Sequence, residues 1–172
     1  ATFRGGNYAR VHDQYYRNTA LRKIQATEFG GFDVLGQVLP KAKARGLKTY
    51  CWYEDVFRRD IENIERLQEI LLSGQKAGTL CFHNPDTQAF WLALTEDYVR
   101  SYPIDGIMWG SERQGPFNNA LGASHGGRGS NPMNVTCFCE FCRRVAAGRG
   151  IDFERAREGF QRLARLVTQG RQ

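Results

Sequence analysis

The sequence predicts an α/β protein built around a parallel sheet, and three observations carry that prediction. Two apolar, β-prone segments stand out, residues 47–55 ("LKTYCWYED") and 104–112 ("IDGIMWGSE"), and each ends in carboxylates. Segments with helical spacing of apolar residues lie between and around them, and strands alternating with helices favour parallel pairing through helical crossovers. The chain of 172 residues is 41% hydrophobic and 24% charged, which suits one globular domain, residues 1–172, with enough apolar mass for a core.

The elements follow in order. Residues 1–30 are aromatic and broken by polar residues and glycine, so they read as loop, with a short helix near residues 19–26. Residues 31–46 ("GFDVLGQVLPKAKARG") read as a helix: Asp33 is the N-cap, Val34, Leu35, Val38, Leu39 and Ala42 recur with helical spacing, and Gly46 sits at the stop. Pro40 argues for a kink in it. The strand over 47–55 comes next, and "RRDIENIERLQEILLSG" (58–74) then spaces Ile61, Ile64, Leu67, Ile70 and Leu71 as an amphipathic helix stopped by Gly74. Residues 79–84 ("TLCFHN") read as a short strand or an extended loop. Residues 84–103 form a strong helical pattern, with Pro85 at the first helical position and a stripe of Phe90, Leu94 and Tyr98. The strand over 104–112 precedes a Gly/Asn/Ser-rich loop, 113–134, long enough to be functional or mobile. Helices over about 140–147 and 152–169 close the chain.

Composition excludes some functions. No apolar run approaches the roughly 18 residues of a membrane span. The chain starts at "ATFRGGNY" without an initiator Met or a signal-peptide pattern, as if cut from something longer or trimmed after export, so both a cytoplasmic and a secreted setting stay open. The formal charge is +6, much of it near the C-terminus. Its arginines alternate there with Glu and Asp at helical spacing, which fits a solvated helix face better than a nucleic-acid surface.

Chemistry is expected where strands deliver acids to the carboxyl-end rim of the sheet, the usual place for active sites in such folds. Glu112 stands at the end of the second strand with Arg113 beside it, and Glu54 and Asp55 at the end of the first. Trp52, Tyr53 and Trp109 accompany them. Aromatic faces beside carboxylates suit a sugar ring, whose C–H groups stack while acids reach the hydroxyls or the glycosidic oxygen. Each acid has a plainer reading as a helix cap or an arginine partner. His83 either lines the same rim or bonds at a helix start with Asn84. His125 is a lid residue or solvated, His12 has no evident partner, and Asp105 reads as structural.

Three cysteines crowd "VTCFCEFCRR": Cys137, Cys139 and Cys142. Three thiolates in one turn can fill three corners of a zinc tetrahedron. The fourth ligand is expected from Cys81 first, then Cys51, then His83 or His125. A disulfide, a redox pair Cys139/Cys142 and plain core thiols are the alternatives.

The segments "GGFDVLGQVLPKAKARGLKTYCWYED", "NPDTQAFWLALTEDYVRSYPIDGIMWGSER" and "VTCFCEFCRRVAAGRGID" resemble glycoside hydrolases of the (β/α)₈ barrel superfamily, distantly similar to the family 42 β-galactosidases. The resemblance covers most of residues 30–155. It implies that Glu112 takes the place of the general acid/base. It also implies that Cys137, Cys139 and Cys142, with an upstream cysteine, take the place of a structural zinc site. Ser111 stands where that family has Asn, and the family's nucleophile has no counterpart. A whole barrel needs about 250 residues. The expectation is therefore a partial TIM barrel, about half, whose exposed edges a second copy of the chain would cover. The function expected is hydrolysis of a glycosidic bond in a carbohydrate. The alternatives are a non-catalytic carbohydrate-binding or scaffold barrel with a degenerate site, and a zinc-stabilised basic module that binds nucleic acid.

Overall fold

A computed structural model describes residues 9–21, 25, 30–54, 64–110, 116–121 and 131–170. The chain forms two compact units, one of Ala1–Ile64 with Pro85–Ser111 and the other of Glu65–Asn84 with Glu112–Gln172.

The first unit has the expected α/β character. Helix α1, Val34–Ala44, is capped by Asp33, whose side chain accepts from the Gly36 amide at 2.9 Å. The Tyr102 hydroxyl also donates to both Asp33 oxygens, at 3.0 and 3.1 Å, so one carboxylate caps α1 and ties it to the chain beyond the next helix. The helix runs through Pro40 and ends at Gly46, which has a φ of +73°. There the Gly46 and Leu47 amides return to the Lys43 and Ala42 carbonyls, the pattern of a helix closed by a left-handed residue.

Strand β1, Tyr50–Glu54, and strand β4, Gly106–Gly110, pair in parallel with Cys51 opposite Ile107 and Tyr53 opposite Trp109. The strand expectations over 47–55 and 104–112 hold within a few residues. Asp105 sets the entry to this pairing. It accepts from the Thr49 amide at 2.7 Å, while its own amide donates to the Thr49 carbonyl. Lys43, bonded at 2.5 Å, and then the Thr49 amide hold the Asp105 carboxyl well below the usual carboxylate range. The structural role expected of Asp105 is the one it has.

Helix α2, Pro85–Ser101, lies between the two strands in sequence and starts at the expected proline. Its stripe, Leu94 and Tyr98 with Ala93, meets Leu39, Tyr102, Tyr16 and Ala9 in the core, and Phe90, Cys51 and Ile107 pack against them. One face of the strand pair is therefore covered by helices. The other carries Tyr50, Trp52 and Met108, which are 67%, 58% and 51% exposed. This is a small parallel sheet of two strands in a mixed α/β chain, and the described residues contain no closed barrel.

Glycines make room on that open face. A Cβ on Gly106 would lie 3.0 Å from the Tyr50 ring, and one on Gly110 would lie 2.1 Å from Trp52 Nε1. Gly110→Ala is expected to swing the Trp52 indole off the strand. Because the clash is with the end of a side chain that can rotate, the stability cost should stay within about 1 kcal/mol. Acrylamide quenching of tryptophan emission should rise, and unchanged quenching would mean that the indole does not rest on Gly110.

The second unit departs from expectation in two places. The amphipathic helix over 58–74 is not what its described part forms. Ile64–Arg66 is a single 3₁₀ turn, and strand β2, Gln68–Ile70, then pairs antiparallel with strand β3, Lys76–Leu80, around Gly74 at a φ of +86°. The apolar residues do recur at helical intervals. The backbone, however, spends its hydrogen bonds elsewhere: Leu67 O accepts from Cys81 N, Ile70 O from Phe138 N, and Leu72 N donates to Val135 O. Burial alternates accordingly. Leu67 and Glu69 point inward, and Glu69 is satisfied by the Thr79 hydroxyl.

The loop over 113–134 also contains structure, a short helix α3, Pro116–Leu121, and a 3₁₀ turn at Pro132–Asn134 capped by Asn131. Ala120 from α3 and Val135 join Leu72 and Ala164 in this unit's core, with Met133, Phe138, Phe160 and Leu163 around them. Helix α4, Glu140–Gly148, and helix α5, Phe153–Gln169, match the expected pair, and Asp152 caps α5 by accepting from the Arg155 amide. In the first unit, residues 19–21 of the expected short helix are not helical, and a 3₁₀ turn stands earlier, at Asp13–Tyr15.

Candidate metal centre

Four cysteine sulfurs of the second unit meet in one place. Cys81 follows β3, Cys137 and Cys139 lie in the extended segment after Val135, and Cys142 is in the first turn of α4. All four Sγ atoms lie within 4.8 Å of one another, with Cys81 at 3.4 Å from Cys139 and 3.6 Å from Cys142. Zn–S bonds of about 2.3 Å in a tetrahedron separate sulfurs by about 3.8 Å. The cluster has the donor type, number and spacing of a closed thiolate site, and it could hold a metal ion such as zinc. Cys81, the first choice for a fourth ligand, is the one brought in. Cys51 is in β1 of the other unit and packs against the apolar core there.

Local structure aims the sulfurs. Cys139 is the N-cap of α4, and its sulfur accepts from the Cys142 amide at 3.4 Å. A ligand at a helix start lies at the positive end of the helix dipole, where a negative site is favoured. The Ile70 amide donates to Cys137 Sγ at 3.4 Å, so the β2 strand edge faces the cluster. The His83 amide is directed at Cys81, and the His83 ring places Nδ1 at 3.3 Å from Cys142 Sγ.

The electrostatics describe a site short of positive charge. Hydrogen bonds from Cys137 and then Cys142 pull the Cys81 thiol down to about 4. The Cys142 thiol, bonded to Cys137 and Cys81, is pushed far up because a second thiolate beside the first is opposed. Four sulfurs this close become thiolates together only around a cation, which deprotonates its ligands outright.

The residues expected at a sugar-binding rim are spread differently. Glu112, Arg113, Asp55 and His125 lie outside the described residues, as does Ser111. Glu54 and Tyr53 belong to β1, but their side chains fall outside the described set. Trp52 lies exposed on the open face of the strand pair, whereas Trp109 is one register step away on the opposite face. Its ring meets Trp91 of α2 edge-on at 4.7 Å between centroids. His83 stands at the sulfur cluster.

Sequence reasoning left one polar group unnoticed. Asp97 is fully buried in α2, and its oxygens take His12 Nδ1 at 2.6 Å, the Tyr16 hydroxyl at 3.0 Å and the Ser101 hydroxyl at 3.0 Å. The signal was present: Asp97 lies three residues after Leu94 and beside Tyr98, on the stripe that must face inward.

Compared with known proteins, the chain matches no protein-family model, no curated protein and no solved structure.

Proposed function

We propose that Cys81, Cys137, Cys139 and Cys142 bind one structural zinc ion, and that the chain is a glycoside hydrolase-like protein of partial (β/α) barrel type with Glu112 as general acid/base. The zinc reading rests on one observation, four sulfurs within 4.8 Å of one another at the junction of a hairpin and a helix start. Zinc fits such a closed all-sulfur set, because it needs no open coordination position and no redox partner to stabilise a fold. The same geometry disfavours a catalytic metal, which would keep a position for water.

The hydrolase reading is supported by the motif resemblance and by the parallel strand pair. Parallel pairing brings the carboxyl ends of β1 and β4 to one side, and Glu112 follows β4 by two residues in the sequence. In this reading Glu112 protonates the leaving oxygen, Glu54 and Asp55 bind or polarise the sugar, and Trp52, Tyr53 and Arg113 contact it; Trp109, on the opposite face of the strand pair, and His83, at the sulfur cluster, do not. Ser111, in place of the family's Asn, favours the second reading, a carbohydrate-binding protein without turnover.

The experiment is a panel of aryl glycosides with the wild type and Glu112→Gln, together with binding to the same sugars. Hydrolysis reduced about 10²-fold or more in the variant supports a general acid/base. Sugar binding without turnover, unchanged in Glu112→Gln, selects the second reading. If turnover is present and Glu112→Gln leaves it intact, Glu112 is not the acid. Zinc content measured by mass spectrometry should be one ion per chain, released on titrating the thiols.

A further inference from the structure

The sulfur cluster receives a set of N–H donors in which one member differs from the rest. Cys137 is met by the Ile70 amide, Cys139 by the Cys142 amide and Cys81 by the His83 amide, all backbone groups. Cys142 is met by a side chain, the His83 imidazole, through Nδ1 at 3.3 Å. His83 therefore meets Cys142 with its ring, while its amide is directed toward Cys81. Its ring is on the exposed side of the turn between β3 and α2, while Cys81 and Cys139 are buried.

Four thiolates around a divalent cation carry a net charge of −2. That excess is stabilised by donors held against the sulfurs, because each N–H···S bond withdraws electron density from its thiolate and makes it less basic and less ready to leave the metal. Three of these donors are part of the folded backbone and are present whenever the unit is folded. The fourth depends on one side chain.

From this arrangement we propose that His83 is a positioning residue for the metal centre, its Nδ1–H holding and tuning the Cys142 thiolate rather than ligating the metal or contacting substrate. The proposal rests on the metal-binding reading of the cluster and assigns to it the one side-chain N–H donor among the described residues. It also gives His83 a role apart from the sugar contact that the sequence suggests. The ligand stays Cys142, and the imidazole carries its proton on Nδ1 with Nε2 toward solvent. Asparagine places its amide nitrogen at the same bond distance from Cβ as Nδ1, so it is the conservative replacement. Alanine removes the donor without touching the core, since the ring is exposed.

The test uses the full chain loaded with Co²⁺, whose sulfur-to-metal charge-transfer absorption reports thiolate donor strength, together with zinc affinity by chelator competition. His83→Ala should move the charge-transfer band to lower energy, because an unbonded thiolate gives up its electron more easily. It should also weaken zinc binding by about 10–100-fold. His83→Asn should restore both toward the wild type. Band position and affinity unchanged in His83→Ala would overturn the role of His83 while leaving the metal centre intact. A wild-type ligand-field pattern of three sulfurs and one nitrogen that changes in His83→Ala would overturn it in another way, by making the imidazole a ligand. A wild-type chain that takes up neither Co²⁺ nor Zn²⁺ would overturn the metal reading and this proposal with it.

Discussion

Removing the metal from the second unit is expected to unfold its hairpin and the start of α4, and returning zinc should refold them. The argument is one of magnitudes. The β2/β3 hairpin is short, with strands of three and five residues, and two-stranded hairpins are marginal in water. Among the described residues, Leu72, Ala120, Val135 and Ala164 form the buried core cluster beside it, and Leu67, Ala77 and Leu80 are the buried apolar residues of the hairpin and the residue before it. Whole domains are stable by only about 5–15 kcal/mol. Structural zinc binds small folded units with apparent free energies of about 10–16 kcal/mol. Losing the larger quantity from a unit that holds no more than the smaller one leaves it unfolded.

Hydrogen exchange of residues 65–84 and 131–148 measures this directly. Their protection should collapse in excess chelator and return with Zn²⁺. Protection that survives in protein shown to be metal-free would mean that apolar packing holds the unit, and the four cysteines would be core thiols. Cysteine substitutions separate two roles. Cys139→Ser and Cys139→Ala should both abolish tight zinc binding. Serine still caps α4, so the alanine variant should be less stable by a further ~1 kcal/mol.

How far the sequence could be read depends on whether a residue's partners are near it in the chain. Helices α1, α2, α4 and α5 were legible because caps, proline, glycine and apolar stripes are local signals, and Asp33, Pro85 and Gly46 act as their positions suggest. The strands β1 and β4 were legible as apolar runs. Residues 64–74 were not, since Ile64, Leu67 and Ile70 keep helical spacing while the Leu67 and Ile70 carbonyls accept from Cys81 and Phe138 and the Leu72 amide donates to Val135. No local rule anticipates a partner about 65 residues away. The same holds at the site. The spacing of Cys137, Cys139 and Cys142 announced three ligands, and Cys81 could only be ranked first for the fourth. The Trp52/Trp109 platform depended on a strand register that a single strand does not reveal, and Tyr53↔Trp109 pairing puts the two indoles on opposite faces.

Asp97→Ala is expected to destabilise the first unit by about 3–5 kcal/mol, the cost of breaking a buried ionic or charge-assisted network by removing one partner. A surface pair would be worth only ~0–1 kcal/mol, and burial decides between the two figures. The Asp97 side chain is 0% exposed, while that of His12 is 26% exposed. The carboxylate accepts from His12 Nδ1 and from the hydroxyls of Tyr16 and Ser101, and its loss takes that acceptor from a fully buried tyrosine and from two half-buried side chains. It also frees the segment holding His12 and Tyr16 from α2, and that segment supplies Ala9 and Tyr16 to the core. Asp97→Asn keeps the shape and one of the two acceptor oxygens, so it should cost less than alanine. His12→Ala removes the donor on Asp97 Oδ1 at 2.6 Å and should cost about 1–3 kcal/mol. The three tryptophans, Trp52, Trp91 and Trp109, all belong to this unit, so urea unfolding followed by tryptophan emission reads its stability alone. A double-mutant cycle of His12→Ala and Asp97→Ala should show coupling of at least about 0.5 kcal/mol, as for residues in one hydrogen-bonded network. Additive losses would mean that His12 and Asp97 are merely neighbours, with the N-terminal segment held by the packing of Tyr16 and Ala9 instead.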